Sequence, residues 1–141
     1  MNFSFQFIAI LILALLFSAC QIESNEAGQN ESPTSVGMLQ HTVYFYLNDD
    51  VTQEEREQFE EGLKTLLSIE EIYDYELGTP GATEERDVTD HSFGYVIFSW
   101  FKTLEDYKIY DEHPTHLEFI DKYNHLWSEV KVYDSEIIDS R

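Results

Sequence analysis

Six side chains carry most of the chemistry open to this sequence. His113 and His116 stand three apart in Tyr110-Asp111-Glu112-His113-Pro114-Thr115-His116. On a helix that spacing sets two imidazoles on adjacent faces. His41 opens an apolar and aromatic run, and Tyr95 lies in a second such run. An imidazole titrates near neutrality and can serve as a general base, while a phenol such as Tyr110 can donate a hydrogen bond to a carbonyl oxygen. Cys20 is the sole cysteine, so no intramolecular disulfide can form.

Three readings of the histidines stay open from the residues alone. In one, His116 is a base and Tyr110 polarises a substrate. In another, His41, His113 and His116 are ligands to a metal, since zinc sites use i, i+3 histidine pairs. In the third they are structural: His113 caps or orders the turn before Pro114, and His116 bonds His41 in a closed core. His125, close to a helix end, needs only a surface role favoured by the helix dipole. Tyr107 is one helical turn from Tyr110 and is the alternative phenol.

The elements that must position these groups can be read from periodicity. Leu39 to Leu47 (LQHTVYFYL) is β-branched and aromatic and predicts a strand. Thr52 to Ser68 predicts a helix, opened by a Thr52/Glu55 capping box, with Phe59, Leu63, Leu66 and Leu67 on one face. Ile72 to Leu77 and Ser92 to Phe101 predict two further strands, separated by a polar loop from Gly78 to Asp90. Thr103, with Asp106 three residues on, opens a short helix. Pro114 suits the first turn of another, expected to run to Trp127. Glu129 to Ile138 predicts the last strand. The order β-α-β-β-α-β is the ferredoxin-like pattern, an α+β protomer whose four-stranded antiparallel sheet has strands 1 and 3 at its centre and helices on one face.

Alternation then sets a packing problem. Strand 1 places His41, Val43, Phe45 and Leu47 on one face and Thr42, Tyr44 and Tyr46 on the other. Strand 3 places Phe93, Tyr95, Ile97 and Phe101 against Val96, Phe98 and Trp100. Both faces are apolar or aromatic, yet the helices cover one. A second copy of the chain is the simplest cover for the other, which predicts a homodimer.

The first 37 residues read differently. Phe7 to Phe17 (FIAILILALLF) is an apolar run of eleven, short of the roughly 20 a membrane span needs. That length suits the core of a signal peptide. Phe17-Ser18-Ala19-Cys20 follows it and resembles a bacterial lipobox, with Phe17 where Leu is usual and no Lys or Arg in the opening MNFSFQ. The resemblance implies export, cleavage before Cys20 and a lipid on its thiol, on the periplasmic or cell-surface side of the envelope. Residues 20–37, rich in Ser, Asn, Glu, Gly and Pro, form a flexible acidic tether to a domain at 38–141. Lys+Arg number 8 and Asp+Glu 28, a net charge of −20, and none of these charges lies in residues 1–19. Such a domain repels nucleic acid.

The Tyr110 to His116 segment, with His41 in the first strand, resembles the stress-responsive α/β-barrel (Dabb) family over about residues 38 to 138. Asp49 to Thr52, Glu76 to Gly78 and Val130 to Asp134 match the family's turns and closing strand. The resemblance implies a ferredoxin-like protomer that dimerises through its sheet into a barrel, with no single activity. One plant member is a polyketide cyclase that needs no cofactor. Its base and tyrosine match His116 and Tyr110, and its two supporting histidines fall at His41 and Tyr95. His41, Tyr95 and His113 are therefore expected around a pocket for a small apolar or aromatic ligand. No metal is assigned.

Overall fold

A computed structural model describes residues 35–141; the expectations for the signal segment, Cys20 and most of the tether lie outside the described residues. The strand expected at Leu39–Leu47 forms over those residues as β1. Helix α1 spans Gln53–Leu66. Thr52 caps it: its hydroxyl accepts from the Glu55 N–H at 3.3 Å, and Oε2 of Glu55 accepts from the Thr52 N–H at 2.8 Å. Two donors that a helix start leaves unpaired are thereby satisfied. β2 is Asp74–Gly78 and β3 is Tyr95–Phe101. Helix α2, Leu104–Asp111, opens with the same reciprocal cap between Thr103 and Asp106. Helix α3, Pro114–Tyr123, has its proline at the first turn, where a missing N–H costs nothing. β4 is Trp127–Glu136.

The strands form one antiparallel sheet in the order β2-β3-β1-β4, so β1 and β3 are central. The helices lie on the side that His41, Val43 and Phe45 face. Phe59 of α1 is fully buried there, with its ring 5.3 Å from Phe45, 5.5 Å from Phe119 of α3 and 5.5 Å from Tyr123. Leu63, Leu66 and Leu67 are buried beside it, as their spacing predicts. Gly62 lets α1 approach α3 closely: a side chain there would run into the Tyr123 ring. The hydroxyl of Tyr123 donates to the Gln58 carbonyl across the same gap, at 2.9 Å.

Three expectations need correction. The strand expected from Ser92 begins at Tyr95, because Asp90 captures both the N–H and the hydroxyl of Ser92 and turns the chain. Phe93 therefore leaves the alternation. Instead of sharing a face with Tyr95, it packs on Tyr44, ring centres 5.0 Å apart, on the opposite side of the sheet. The helix expected to reach Trp127 stops at Tyr123, and a short 3₁₀ turn, Asn124–Leu126, follows. Trp127 pairs with Leu47 and already belongs to β4.

The outer face carries Thr42, Tyr44, Tyr46, Val96, Phe98, Lys131 and Tyr133 around a depression of about 730 Å³. The Tyr44 ring lies 6.5 Å from Phe98 and 6.1 Å from Tyr133. Lys131 sits over the Tyr46 ring at 4.4 Å. This depression holds no histidine.

Candidate functional site

Between the sheet and α2/α3 lies a second cavity, of about 330 Å³. β1 contributes His41, Val43 and Phe45 to it, β4 contributes Val130 and Val132, and α2 contributes Tyr107, Tyr110 and Asp111. His116, Phe119 and Ile120 of α3 and Trp127 complete most of the wall. Volumes and linings of this kind, mostly apolar with a few convergent polar groups, are those of small-molecule sites. The reading in which His116 bonds His41 in a closed core does not survive: the space is open, and each imidazole has another partner.

Those partners fix the tautomers. His41 is buried, and its Nδ1 lies 2.7 Å from Oδ1 of Asp134. The two residues are register partners across β1 and β4. Nδ1 of His116 lies 2.8 Å from the carbonyl oxygen of Asp111, the last residue of α2. A carbonyl only accepts, so the His116 proton is on Nδ1, and its Nε2 is the acceptor in the neutral ring. The Asp134 carboxylate selects the same tautomer for His41.

The phenols stand around these rings. Tyr110 is buried, with its ring 4.6 Å from His116 and 5.9 Å from His41. Tyr107 lies 5.3 Å from His41. Phe101 backs both phenols at 5.5 and 5.1 Å. Burial pushes the Tyr110 hydroxyl well above the ordinary phenol range, and Tyr107 and Asp111 add to the rise. Burial also raises Tyr107, with Asp134 and Asp111 contributing. Both phenols therefore stay protonated as donors at any physiological pH.

Of the five residues expected around a pocket, His41, Tyr110 and His116 line this one; Tyr95 and His113 do not. Tyr95 lies instead against α1, 5.5 Å from Phe59, and burial, with Glu60 adding to it, raises its hydroxyl above the usual range. His113 is the N-cap of α3: its Nδ1 accepts from the Thr115 N–H at 3.1 Å. A ring committed to a cap is not free to join His41 and His116 on a metal. Among the described residues no three His, Cys, Asp or Glu side chains converge as ligands. Asp134 is a site residue that sequence reasoning misses. Alternation sets Val130, Val132 and Asp134 on one face of β4, but only the register brings Asp134 opposite His41.

Comparison with known proteins completes the picture. Solved structures with this fold include a hydroxynitrile lyase from Passiflora edulis, at 20% identity and a TM-score of 0.62, covering 74% of this chain and 96% of that one. The protein At3g17210 from Arabidopsis thaliana matches at 21% identity and a TM-score of 0.61, over 73% of this chain and 98% of its own. A dimeric protein of unknown function with a ferredoxin-like fold, from Bacteroides fragilis, matches at 27% identity and a TM-score of 0.56, over 72% and 97%. No curated protein matches the sequence. The family model of the stress-responsive A/B barrel domain matches residues 39–137. With that span covering most of its length, the chain belongs to the stress-responsive A/B barrel (Dabb) domain family.

Proposed function

We propose that this protein is an exported, lipid-anchored homodimer whose sheet–helix cavity binds a small apolar or aromatic ligand. The observation that carries the reading is the cavity itself: open, walled by aromatic and aliphatic side chains, and furnished with two oriented imidazoles and a buried phenol. Mass spectrometry of the native protein tests it. The expected spectrum shows a co-purified small molecule and an acyl mass on Cys20; a bare polypeptide with a free thiol contradicts both parts. Replacement Cys20→Ser is expected to move the protein from the membrane fraction to the soluble one.

The dimer rests on the outer sheet face, where Tyr44, Phe98 and Tyr133 cluster. Relatives of this fold are described as dimeric. The protein without residues 1–37 should sediment at twice its monomer mass, and a clean monomer refutes the shared sheet. Two lipids on one dimer would anchor far more firmly than one.

A second reading makes the same cavity an active site. Its support is the His116 tautomer: with Nδ1–H held by the Asp111 carbonyl, Nε2 is left as the acceptor on a ring 4.6 Å from that of Tyr110, whose hydroxyl stays protonated. That pair suits a cofactor-independent cyclase, lyase or isomerase on a carbonyl compound, with His116 taking the proton and Tyr110 supporting the oxygen. His116→Ala should abolish turnover of a trial β-keto substrate. Unchanged turnover removes His116 as the base.

A further inference from the structure

We propose that the cavity selects its ligand by charge, accepting an uncharged carbonyl compound and rejecting the anion of the same shape through Asp111 and Asp134. This rests on the cavity being the binding site and adds the class of ligand it takes.

No lysine or arginine lines the cavity, and Asp111 does. Asp134 stands directly behind His41. The cations nearest along the chain are engaged elsewhere: Lys108 with Glu105, Lys122 over the Tyr123 ring, and Lys131 over Tyr46 on the outer face. An entering carboxylate or phosphate would leave water for a mostly apolar space and meet the Asp111 carboxylate on the wall, with Asp134 behind His41 and no lysine or arginine in the lining. Desolvation and like-charge repulsion act in the same direction. Both cavity phenols register that field: Asp111 raises Tyr107 and Tyr110, and Asp134 raises Tyr107. A neutral ketone, aldehyde or phenol escapes the penalty and keeps the donors. The ligand is therefore a free neutral carbonyl or phenolic compound, not a carboxylate, a phosphate ester or a nucleotide-bearing thioester.

Acetophenone and benzoate are near-isosteres that differ in charge, and they make the test. Each is titrated into the full-length protein by calorimetry at pH 8, where an ordinary imidazole is neutral. Acetophenone should bind at least about tenfold more tightly than benzoate, a gap of about 1.4 kcal/mol. In the Asp111→Asn/Asp134→Asn protein, checked for folding by circular dichroism, the gap should close to within about threefold, since the first substitution leaves in place the backbone carbonyl that holds His116. Equal binding of the two probes by the unaltered protein overturns charge selection while leaving the cavity a binding site. A gap that persists in the folded double variant overturns the role of the two aspartates. Failure of acetophenone to bind overturns this proposal and the binding site it rests on together.

Discussion

His41 and Asp134 face each other across β1 and β4, with Nδ1 of the imidazole 2.7 Å from Oδ1 of the carboxylate. The histidine is buried and the aspartate side chain is 45% exposed. Truncating Asp134 leaves a buried imidazole N–H without its acceptor. Asp134→Ala should therefore lower unfolding stability by about 1 kcal/mol, the low end for an orphaned buried donor because water reaches the aspartate side. Asp134→Asn keeps an acceptor oxygen and should cost less. Urea denaturation of the two variants checks the order, and equal losses would mean the contact carries no stability.

Tyr110 predicts a pH dependence on the alkaline side. Its folded pKa is raised above the unfolded value of about 10. Ionisation is thus easier in the unfolded chain, and the fully protonated phenol costs nothing below about pH 10. The sign follows: as pH rises from there through the folded pKa, the unfolded chain ionises first and stability is lost. Tyr107 and Tyr95, also raised, act in the same sense. Stability attributable to these groups should be flat from pH 7 to about 10 and fall above it. Tyr110→Phe should show a shallower fall than the unaltered protein. Denaturation curves between pH 8 and about 11 decide the matter.

Phe59 is the centre of the core beneath the cavity. Its ring stands within 5.8 Å of Phe45, Tyr95, Phe119, Tyr123 and Trp127, counted centre to centre, and none of it reaches solvent. Phe59→Ala should cost about 3–5 kcal/mol, a large share of what a domain this size commonly has. Thermal unfolding followed by circular dichroism would show either a melting point lowered by many degrees or no folded state. A change of a degree or two would contradict the central place given to this ring.

Asp90 holds the turn that sends Phe93 to the outer face. The Ser92 hydroxyl and N–H, then the Tyr46 hydroxyl, hold its carboxyl down at about 2. The turn's contribution should be complete above the ordinary aspartate pKa of about 3.9 and vanish as pH falls through about 2. Carbon-13 titration of the Asp90 carboxyl should give a midpoint near 2. A midpoint at the ordinary value would contradict the hydrogen-bonded turn.

The sequence was legible where one local signal dominated. Leu39–Leu47 alternates without interruption, and Thr52/Glu55 marks the start of α1 chemically as well as periodically. The order of elements and the two-faced central strands followed from those same patterns. Periodicity failed where a side chain competes with the backbone: Asp90 on Ser92 delays β3, and His113 on Thr115 spends as a cap an imidazole expected at the pocket. It also failed where a long-range pairing decides an end, as when Trp127 pairs with Leu47 and α3 stops short. Asp134 was hidden for the same reason. Its importance depends on the register of β4 against His41, which no local pattern states.

Under the proposed function, His41, Tyr110 and His116 line a binding site between the sheet and α2/α3. Histidine-selective NMR of the full-length protein during an acetophenone titration tests this most directly. The ring resonances of His41 and His116 should move together and saturate, while those of His113 and His125 stay in place. Movement of none of them, or of His113 and His125 instead, would contradict it.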